Sequence, residues 1–206
     1  MLRSFAPFAL CCAVLTLTAC ASPIGDHHHG GAPSAGAGGM GGEMKGGTMM
    51  GMHGGAMKGR MAVATLTPTQ GNDVRGMVMF HQMQGQVMVH ARITGLKPNG
   101  EHGFHVHETG SCASPDGTSA GGHFNPDGKP HGPQAAAHHA GDMPSLKADV
   151  QGAVDQHFML TGPSVEAGAA SVVGRSVIVH AQPDDYTTQP TGNAGGRIAC
   201  GVIAGY

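Results

Sequence analysis

Eight short runs of β-forming residues follow one another from Met61 to the C-terminus, separated by turn-forming residues. Short apolar runs bounded by turn signals are typical of β-strands. No segment of ordinary helix length shows the apolar repeat of about 3.6 residues that marks an amphipathic helix. The sequence therefore predicts one all-β domain over residues 61–206, a sandwich or closed barrel. The predicted strands are MAVATLT, VRGMVMFHQ, QVMVHARI, GFHVHE, LKADVQG, DQHFMLT, SVIVHA and RIACGVI.

Two long segments, residues 109–145 and 182–196, interrupt this series of strands. Segments of that length without secondary structure are usually functional when they occur in a compact domain. The first of them contains four histidines. We therefore expect both segments to be functional loops.

The first nineteen residues have the pattern of an export signal. One positive charge, Arg3, precedes a mostly apolar stretch that is too short for a spanning helix. The stretch ends in LTAC, which resembles the lipobox of bacterial lipoproteins, where the cysteine becomes the lipidated first residue. We expect residues 1–19 to be a signal peptide and Cys20 to anchor an exported, periplasmic protein. Ala21 after the cysteine favours the outer membrane; an ordinary cleaved signal is the alternative.

The cysteine count supports export. Of the five cysteines, Cys11 and Cys12 leave with the signal and Cys20 carries the lipid, so Cys112 and Cys200 remain. A single pair in an exported domain predicts a disulfide. The net charge of −2 and the isoelectric point near 6.7 give no reason to expect a nucleic acid partner.

Residues 20–60 form a segment of glycine, alanine, methionine and histidine with hardly a β-branched residue. Such a segment cannot bury a core, and we expect it to be a disordered tether. Thioether and imidazole ligands select Cu(I) among the common biological ions, so the segment predicts copper capture. A tether whose methionines are incidental is the alternative. The candidate ligands are His27, His28, His29, Met49, Met50, Met52 and His53.

The run GFHVHE sets His105 and His107 two residues apart. In a strand such residues point to the same face, so two imidazoles lie side by side while Phe104 and Val106 face the other way. This arrangement suits a metal ion, but several unrelated zinc, copper and iron proteins share it. His180, at the end of the apolar run SVIVHA, is a candidate third ligand.

A second candidate metal set lies in the first long segment. His123, His131 and His139 recur at intervals of eight residues, and Asp142 follows His139 by three. Three nitrogens and one carboxylate oxygen form a closed tetrahedral set suited to Zn²⁺. His138 is adjacent to His139, and spacing alone does not choose between them.

Five motifs, in the right order, resemble copper–zinc superoxide dismutase, especially its bacterial periplasmic members. They are GFHVHE, SAGGHFNPDGKPHG, HHAGDMPSL, VIVHAQPDDY and TGNAGGRIACGVI, and the resemblance runs from about Ala62 to the C-terminus. It implies an eight-stranded Greek-key β-barrel with one copper and one zinc ion per subunit. It also implies that superoxide is the substrate and that oxygen and hydrogen peroxide are the products.

The resemblance also implies a role for each candidate residue. Arg197 would guide superoxide to copper, and His123 would bridge the two ions and supply a proton. Asp184 would link a copper histidine, His105, to a zinc histidine, His131, and Cys112 and Cys200 would form the intrasubunit disulfide. The implied copper ligands are His105, His107, His123 and His180, and the implied zinc ligands are His123, His131, His139 and Asp142.

The hairpin MVMFHQMQGQVMVHAR predicts a further histidine and methionine surface. With Val78 and Phe80 inward and a two-residue turn at Gln84–Gly85, His81 would lie opposite Met88, and Met79 opposite His90. The outward residues would be Met77, Met79, His81, Met83, Met88, His90 and Arg92. One interpretation is an auxiliary copper surface; the other, which we favour from sequence alone, is a subunit contact.

Two questions stay open from the sequence. A non-enzymatic periplasmic copper-binding or delivery protein on the same fold is the alternative function, although none of the implied copper ligands is missing. Bacterial members of the family pair differently from eukaryotic members or stay monomeric, so a homodimer and a monomer are both expected outcomes.

Overall fold

Residues 60–206 are described by the computed structural model of the chain. They contain nine β-strands and one 3-10 helix, Thr118–Ala120. The predicted signal peptide (1–19), Cys20 and the candidate copper ligands of the tether lie outside the described residues. The strands are β1 (Met61–Pro68), β2 (Arg75–Gln82), β3 (Val87–Thr94), β4 (Glu101–His102), β5 (Phe104–His107), β6 (Leu146–Lys147), β7 (Val154–Leu160), β8 (Ser176–His180) and β9 (Arg197–Gly205).

Seven of these strands form one curled antiparallel sheet in the order β5-β8-β9-β1-β2-β3-β7, which makes half of a barrel. The two short strands β4 and β6 pair with each other in a separate two-stranded sheet. The all-β class, the antiparallel barrel and the two long segments are therefore confirmed. No helix in the described residues has the length and apolar character needed to cross a membrane.

The strand prediction differs from the structure in two places. The predicted strand LKADVQG ends after Lys147, because the carboxylate of Asp149 accepts hydrogen bonds from the amides of Gln151 and Ala153 and closes a turn. Gly152 completes that turn with a φ of 76°. The sequence also gave no sign of β4, because two residues are too few to show an alternation.

The hairpin of β2 and β3 has the predicted register. His81 pairs with Met88 and Met79 pairs with His90. The amide of Met83 donates to the carbonyl of Gln86, so Gln84 and Gly85 form the turn, and Gly85 supplies the positive φ. Because the turn fixes the pairing, the inward and outward faces of both strands also follow the prediction.

Strands β5 and β8 are buried on both faces, unlike β1 to β3, which alternate between buried and exposed residues. Phe104 and Val106 on β5 and Val177 and Val179 on β8 enter the barrel core. The opposite face of the same strands is buried as well, so something outside the barrel covers it. That cover is the first long segment.

Candidate metal centre

The first long segment folds back along the free edge of β5. The amide of Val106 donates to Gly141 and its carbonyl accepts from Phe124, both at 2.8 Å. Isolated bridges then pair His105 with Asp142 and His107 with His123. Since β5 is an edge strand of the sheet, its unpaired amides and carbonyls attract an added strand. The loop histidines are thereby brought beside the strand histidines.

Four histidines meet over the outer face of β5, and we call them the four-histidine cluster. The Nε2 atoms of His107 and His180 are 3.4 Å apart. The other nitrogen of each ring is held by a backbone carbonyl, Gly121 for His107 at 2.9 Å and Gly195 for His180 at 3.1 Å. These bonds fix which nitrogen of each ring faces the centre. The cluster consists of His105, His107, His123 and His180, all buried.

Beside it lies a second buried group, which we call the His₃Asp cluster. The Oδ1 atom of Asp142 lies 2.9 Å from Nδ1 of His123, 3.0 Å from Nδ1 of His131 and 3.3 Å from Nδ1 of His139. Such separations match those between the ligands of a tetrahedral zinc ion at about 2.0–2.1 Å from each donor. Its members are His123, His131, His139 and Asp142, so both clusters contain His123.

Asp184, in the second long segment, connects the two clusters. Its Oδ2 accepts a hydrogen bond from Nε2 of His105 at 2.7 Å, and its Oδ1 accepts one from Nε2 of His131 at 2.9 Å. The amide of Tyr186 also donates to Oδ1 at 2.7 Å. Gly192 packs against this carboxylate with a φ of 64°, and an added Cβ there would meet His131 Nε2 at 2.5 Å. Only glycine fits this close approach.

The buried polar atoms test whether metal ions fit these clusters. Among residues 60–206, four buried side-chain atoms have no hydrogen-bond partner: His102 Nε2, His105 Nδ1, His123 Nε2 and His131 Nδ1. In the last three rings the other nitrogen bonds to a carboxylate. A buried polar atom without a partner is costly, and a metal ion would satisfy each of these three nitrogens. The residues fit an all-imidazole copper site and a zinc site with one carboxylate.

The protonation of the clusters in the absence of metal follows from burial and charge. Burial lowers the pKa of His105 to about 4 and that of His180 to about 3, so both rings are neutral and ready to ligate near pH 7. Burial also acts on His131 and lowers its pKa, but the negative charges of the nearby Asp142 and Asp184 carboxylates outweigh it and raise the pKa of His131 to about 9. A ligand nitrogen must be deprotonated, so a metal ion in the His₃Asp cluster has to displace a proton from His131.

Arg197 begins β9 next to the four-histidine cluster, at the irregular pairing with His180. Its Nη1 donates to the carbonyl of Gly117 at 2.7 Å and its Nη2 to that of Gly121 at 2.6 Å. Burial lowers the pKa of Arg197, and the nearby charge of Asp116 opposes that shift. The Gly121 carbonyl also accepts from His107, so one backbone group positions both the cation and a cluster histidine.

The structure brings together the residues that the sequence singled out in the domain. His138 lies outside both clusters, with its Nδ1 bonded to the Ala136 carbonyl. The predicted disulfide between Cys112 and Cys200 is confirmed, with the Cα atoms 5.8 Å apart. It joins the start of the first long segment to β9.

Two contributors to the site were missed. The buried His102 holds the carbonyl of His180 through Nδ1 at 2.8 Å, and the backbone of Gly121 bonds to His107 and Arg197. His102 stands three residues before His105, a spacing that a strand alternation does not reveal. A backbone carbonyl leaves no side-chain signal at all.

The fold and the two clusters define a class: a metal-binding β-barrel protein with two adjoining clusters of candidate ligands, both of which contain His123. The comparisons agree with it. The family model "Copper/zinc superoxide dismutase" matches residues 74–203. A protein named superoxide dismutase [Cu-Zn] 2, from Aquifex aeolicus (strain VF5), is 40% identical over 149 residues, which are 69% of this chain and 85% of that protein.

Two further similarities were found. A superoxide dismutase-like protein, YojM, from Bacillus subtilis (strain 168), is 42% identical over 122 residues, which are 57% of this chain and 62% of that protein. The crystal structure of the clock protein EA4 has a TM-score of 0.66 and 39% sequence identity, and the match covers 75% of this chain and all of that one. The chain belongs to the copper/zinc superoxide dismutase family. Its cofactors are copper and zinc, and its reaction is the dismutation of superoxide.

Proposed function

We propose that the dismutation of superoxide takes place at a copper ion and a zinc ion joined through the ring of His123. Copper is held by the four-histidine cluster and zinc by the His₃Asp cluster. The observation that carries this proposal is the surroundings of the His123 ring. Its Nδ1 lies 2.9 Å from the Asp142 carboxylate, while Nε2 is buried and has no partner among residues 60–206.

Bound copper would supply the one-electron oxidation and reduction of superoxide. The chain supplies the proton and the geometry. His123 Nε2 is the nitrogen that holds a proton when it does not ligate, and Asp142 keeps the ring in place through Nδ1. His105, His107 and His180 remain as three donors, which are neutral because burial lowers the pKa of each ring. A hydrogen bond to the other nitrogen of each ring fixes its orientation. Asp184 ties the His105 ring to the His131 ring, so the two sites keep a fixed separation.

Arg197 is the proposed guide for the substrate. Two of its five N–H groups are used by the Gly117 and Gly121 carbonyls, which leaves three for an anion. A fixed cation beside the metal raises the encounter rate of a small anion. The second long segment, residues 182–196, contains Asp184 and Asp185 but no lysine or arginine, so guidance depends on Arg197 or on another surface.

Superoxide consumption by the purified protein, measured before and after copper loading with zinc present, tests this function. We expect the metal-free protein to be inactive and the loaded protein to consume superoxide in proportion to its bound copper, because the chain alone has no one-electron chemistry. A protein that binds one copper in the four-histidine cluster and leaves superoxide untouched would instead be the non-enzymatic copper binder.

The N-terminal tether is proposed to capture copper for this site. The proposal is supported by seven methionines from Met40 to Met61 and by the three consecutive histidines at 27–29.

The test replaces the candidate ligands with serine, which keeps the length of the tether. The replaced residues are His27–His29, Met49, Met50, Met52 and His53. We expect the copper bound per chain to fall in protein purified from cells grown in copper-poor medium. In copper-rich medium we expect no change. A control tether carries serine in place of seven glycines. Equal occupancy in the two variants and the unmodified protein would contradict the proposal.

The proposed function includes a location in the cell. An export signal at 1–19 and lipidation of Cys20 would hold the domain in the periplasm at the outer membrane. The disulfide between Cys112 and Cys200 supports an oxidising compartment. A tether of forty residues would separate the domain from its anchor.

A further inference from the structure

A second group of histidines lies on the outward face of β2, β3 and β7, on strands that contribute no residue to either cluster. The pairing registers place this face in three rows across the strands. We call it the outer Met/His face. Its rows are Met77, Arg92 and Asp155; Met79, His90 and His157; and His81, Met88 and Met159.

Within these rows three metal-ligating side chains converge. His90 Nε2 lies 2.7 Å from Asp155 Oδ1, and His157 Nε2 lies 3.5 Å from the same oxygen. The two imidazole rings stack with their centroids 3.8 Å apart and an angle of 20° between their planes. One donor atom from each of the three residues falls within 4.8 Å of the other two. Both rings thus turn the same nitrogen toward one carboxylate oxygen.

The carboxylate is ionised and only partly neutralised. The hydrogen bond with His90 holds the pKa of Asp155 below its ordinary value, and the charge of Arg92 adds to this effect. Arg92 Nε lies 3.5 Å from Oδ2, the oxygen that faces away from the two histidines. Oδ1 faces both imidazole nitrogens and is therefore the oxygen placed to share a cation with them.

Methionines occupy neighbouring positions on the same face, where an ordinary solvent-facing strand has polar residues. Met79 is the cross-strand partner of His90, and Met159 stands two residues after His157 on the same face. Directly opposed side chains on a sheet have Cβ atoms about 4.5–5.5 Å apart, within reach of a flexible methionine. Met77 and Met159 are 44% and 42% exposed, so their sulfur atoms are not used to fill the core.

We propose that His90, Asp155 and His157 form a third metal site on the outer Met/His face and that its ion is copper. Two imidazoles and a carboxylate bind Cu²⁺ more tightly than the other divalent first-row ions. Met79 supplies the soft ligand that Cu(I) prefers, so the ion stays bound in either oxidation state. The site requires neither the tether nor the chemistry at His123, and it extends the copper-binding role of the chain beyond the proposed catalytic pair.

Counting copper on the full mature chain tests the site. The catalytic sites are first filled with copper and zinc, and Cu²⁺ is then titrated into the unmodified protein, His90→Gln/His157→Gln and the control His81→Gln. We expect the double variant to bind one copper per chain fewer than the other two. The tether is the same in all three proteins, so its copper cancels. Dismutase activity should be unchanged, since none of these residues touches either cluster.

Asp155→Asn provides a second measurement that preserves the shape of the site. We expect its affinity for the extra Cu²⁺ to fall by about tenfold or more, at least the loss typical for a group that supports a metal ligand. Met79→Leu should leave Cu²⁺ binding intact and speed the loss of copper to a Cu(I) chelator under ascorbate, whereas Met83→Leu should not. Equal copper stoichiometry and affinity in the double variant and the unmodified protein would overturn the proposal. Tighter binding of Zn²⁺ than of Cu²⁺ would overturn the assignment to copper.

Discussion

The variant His123→Asn is expected to lose superoxide dismutase activity by about a hundredfold or more. His123 is the only residue common to both clusters. Asparagine keeps a polar atom near the position of Nδ1, beside Asp142, and has nothing at the position of Nε2. A positioned proton donor contributes about 10²–10⁴-fold to a reaction rate, and here the fourth imidazole of the copper set is lost as well. The measurement is superoxide consumption per bound copper, with metal content determined on the same samples.

His138→Gln is the matched control for this experiment. His138 stands in the same loop and next to a member of the His₃Asp cluster, but its ring bonds to the Ala136 carbonyl instead. We expect its activity per copper to equal that of the unmodified protein. Activity in His123→Asn close to the unmodified value, with both metals bound, would show that the shared imidazole is not required.

The parts of the fold that could be predicted are those in which local pattern decides the structure. β1, β2 and β3 are short runs rich in β-forming residues, and the glycine at the Gln84–Gly85 turn sets the register of the hairpin. The extent of β6 could not be predicted in the same way. There the side chain of Asp149 accepts a hydrogen bond from the Gln151 amide, so the backbone forms a turn instead of continuing the strand pairing. Residue propensity does not show which of the two structures forms.

The site residues also fall into those that local pattern predicts and those that it does not. His105 and His107 follow from the two-residue period of a strand. Donor chemistry and spacing indicate His123, His131 and Asp142, but only the family resemblance selected His139 over His138. Asp184 lies 79 positions from His105 and 53 from His131, so no spacing rule reaches it. Only the family resemblance pointed to it.

The composition of the outer Met/His face could be predicted only in part from the sequence. Asp155 and His157 have the same two-residue spacing as His105 and His107, so their shared face was visible in the sequence. Their partner was not, because the hairpin turn fixes β3 against β2 but says nothing about β7. The pairing of His90 with His157 joins residues 67 positions apart and depends on the curled sheet. Long-range strand pairing thus decides which donors can share an ion.

Removing the disulfide is the second change with a large expected effect. The variant Cys112→Ala/Cys200→Ala should lose about 4–5 kcal/mol in the free energy of unfolding, because the bond closes a loop whose ends are 88 positions apart. The opened chain has more unfolded conformations to lose on folding. Guanidinium unfolding of the metal-loaded protein measures the change, and the unmodified protein with a reductant present serves as the comparison. Alanine avoids placing a hydroxyl at Cys200, which is buried.

Activity per bound copper should survive in the same variant at temperatures where it is folded. The start of the loop has its own attachments: Ser176 Oγ donates to the Thr109 carbonyl at 2.8 Å, and Arg175 Nη1 donates to the Glu108 carbonyl at 2.6 Å. The amide of Thr109 in turn donates to the Ala120 carbonyl at 3.0 Å, which keeps Gly121 near Arg197 without the sulfur atoms. A stability loss below about 1 kcal/mol would contradict the loop-closure argument. A large loss of activity in the folded variant would instead show that the disulfide itself positions the Gly121 carbonyl and, through it, Arg197 and His107.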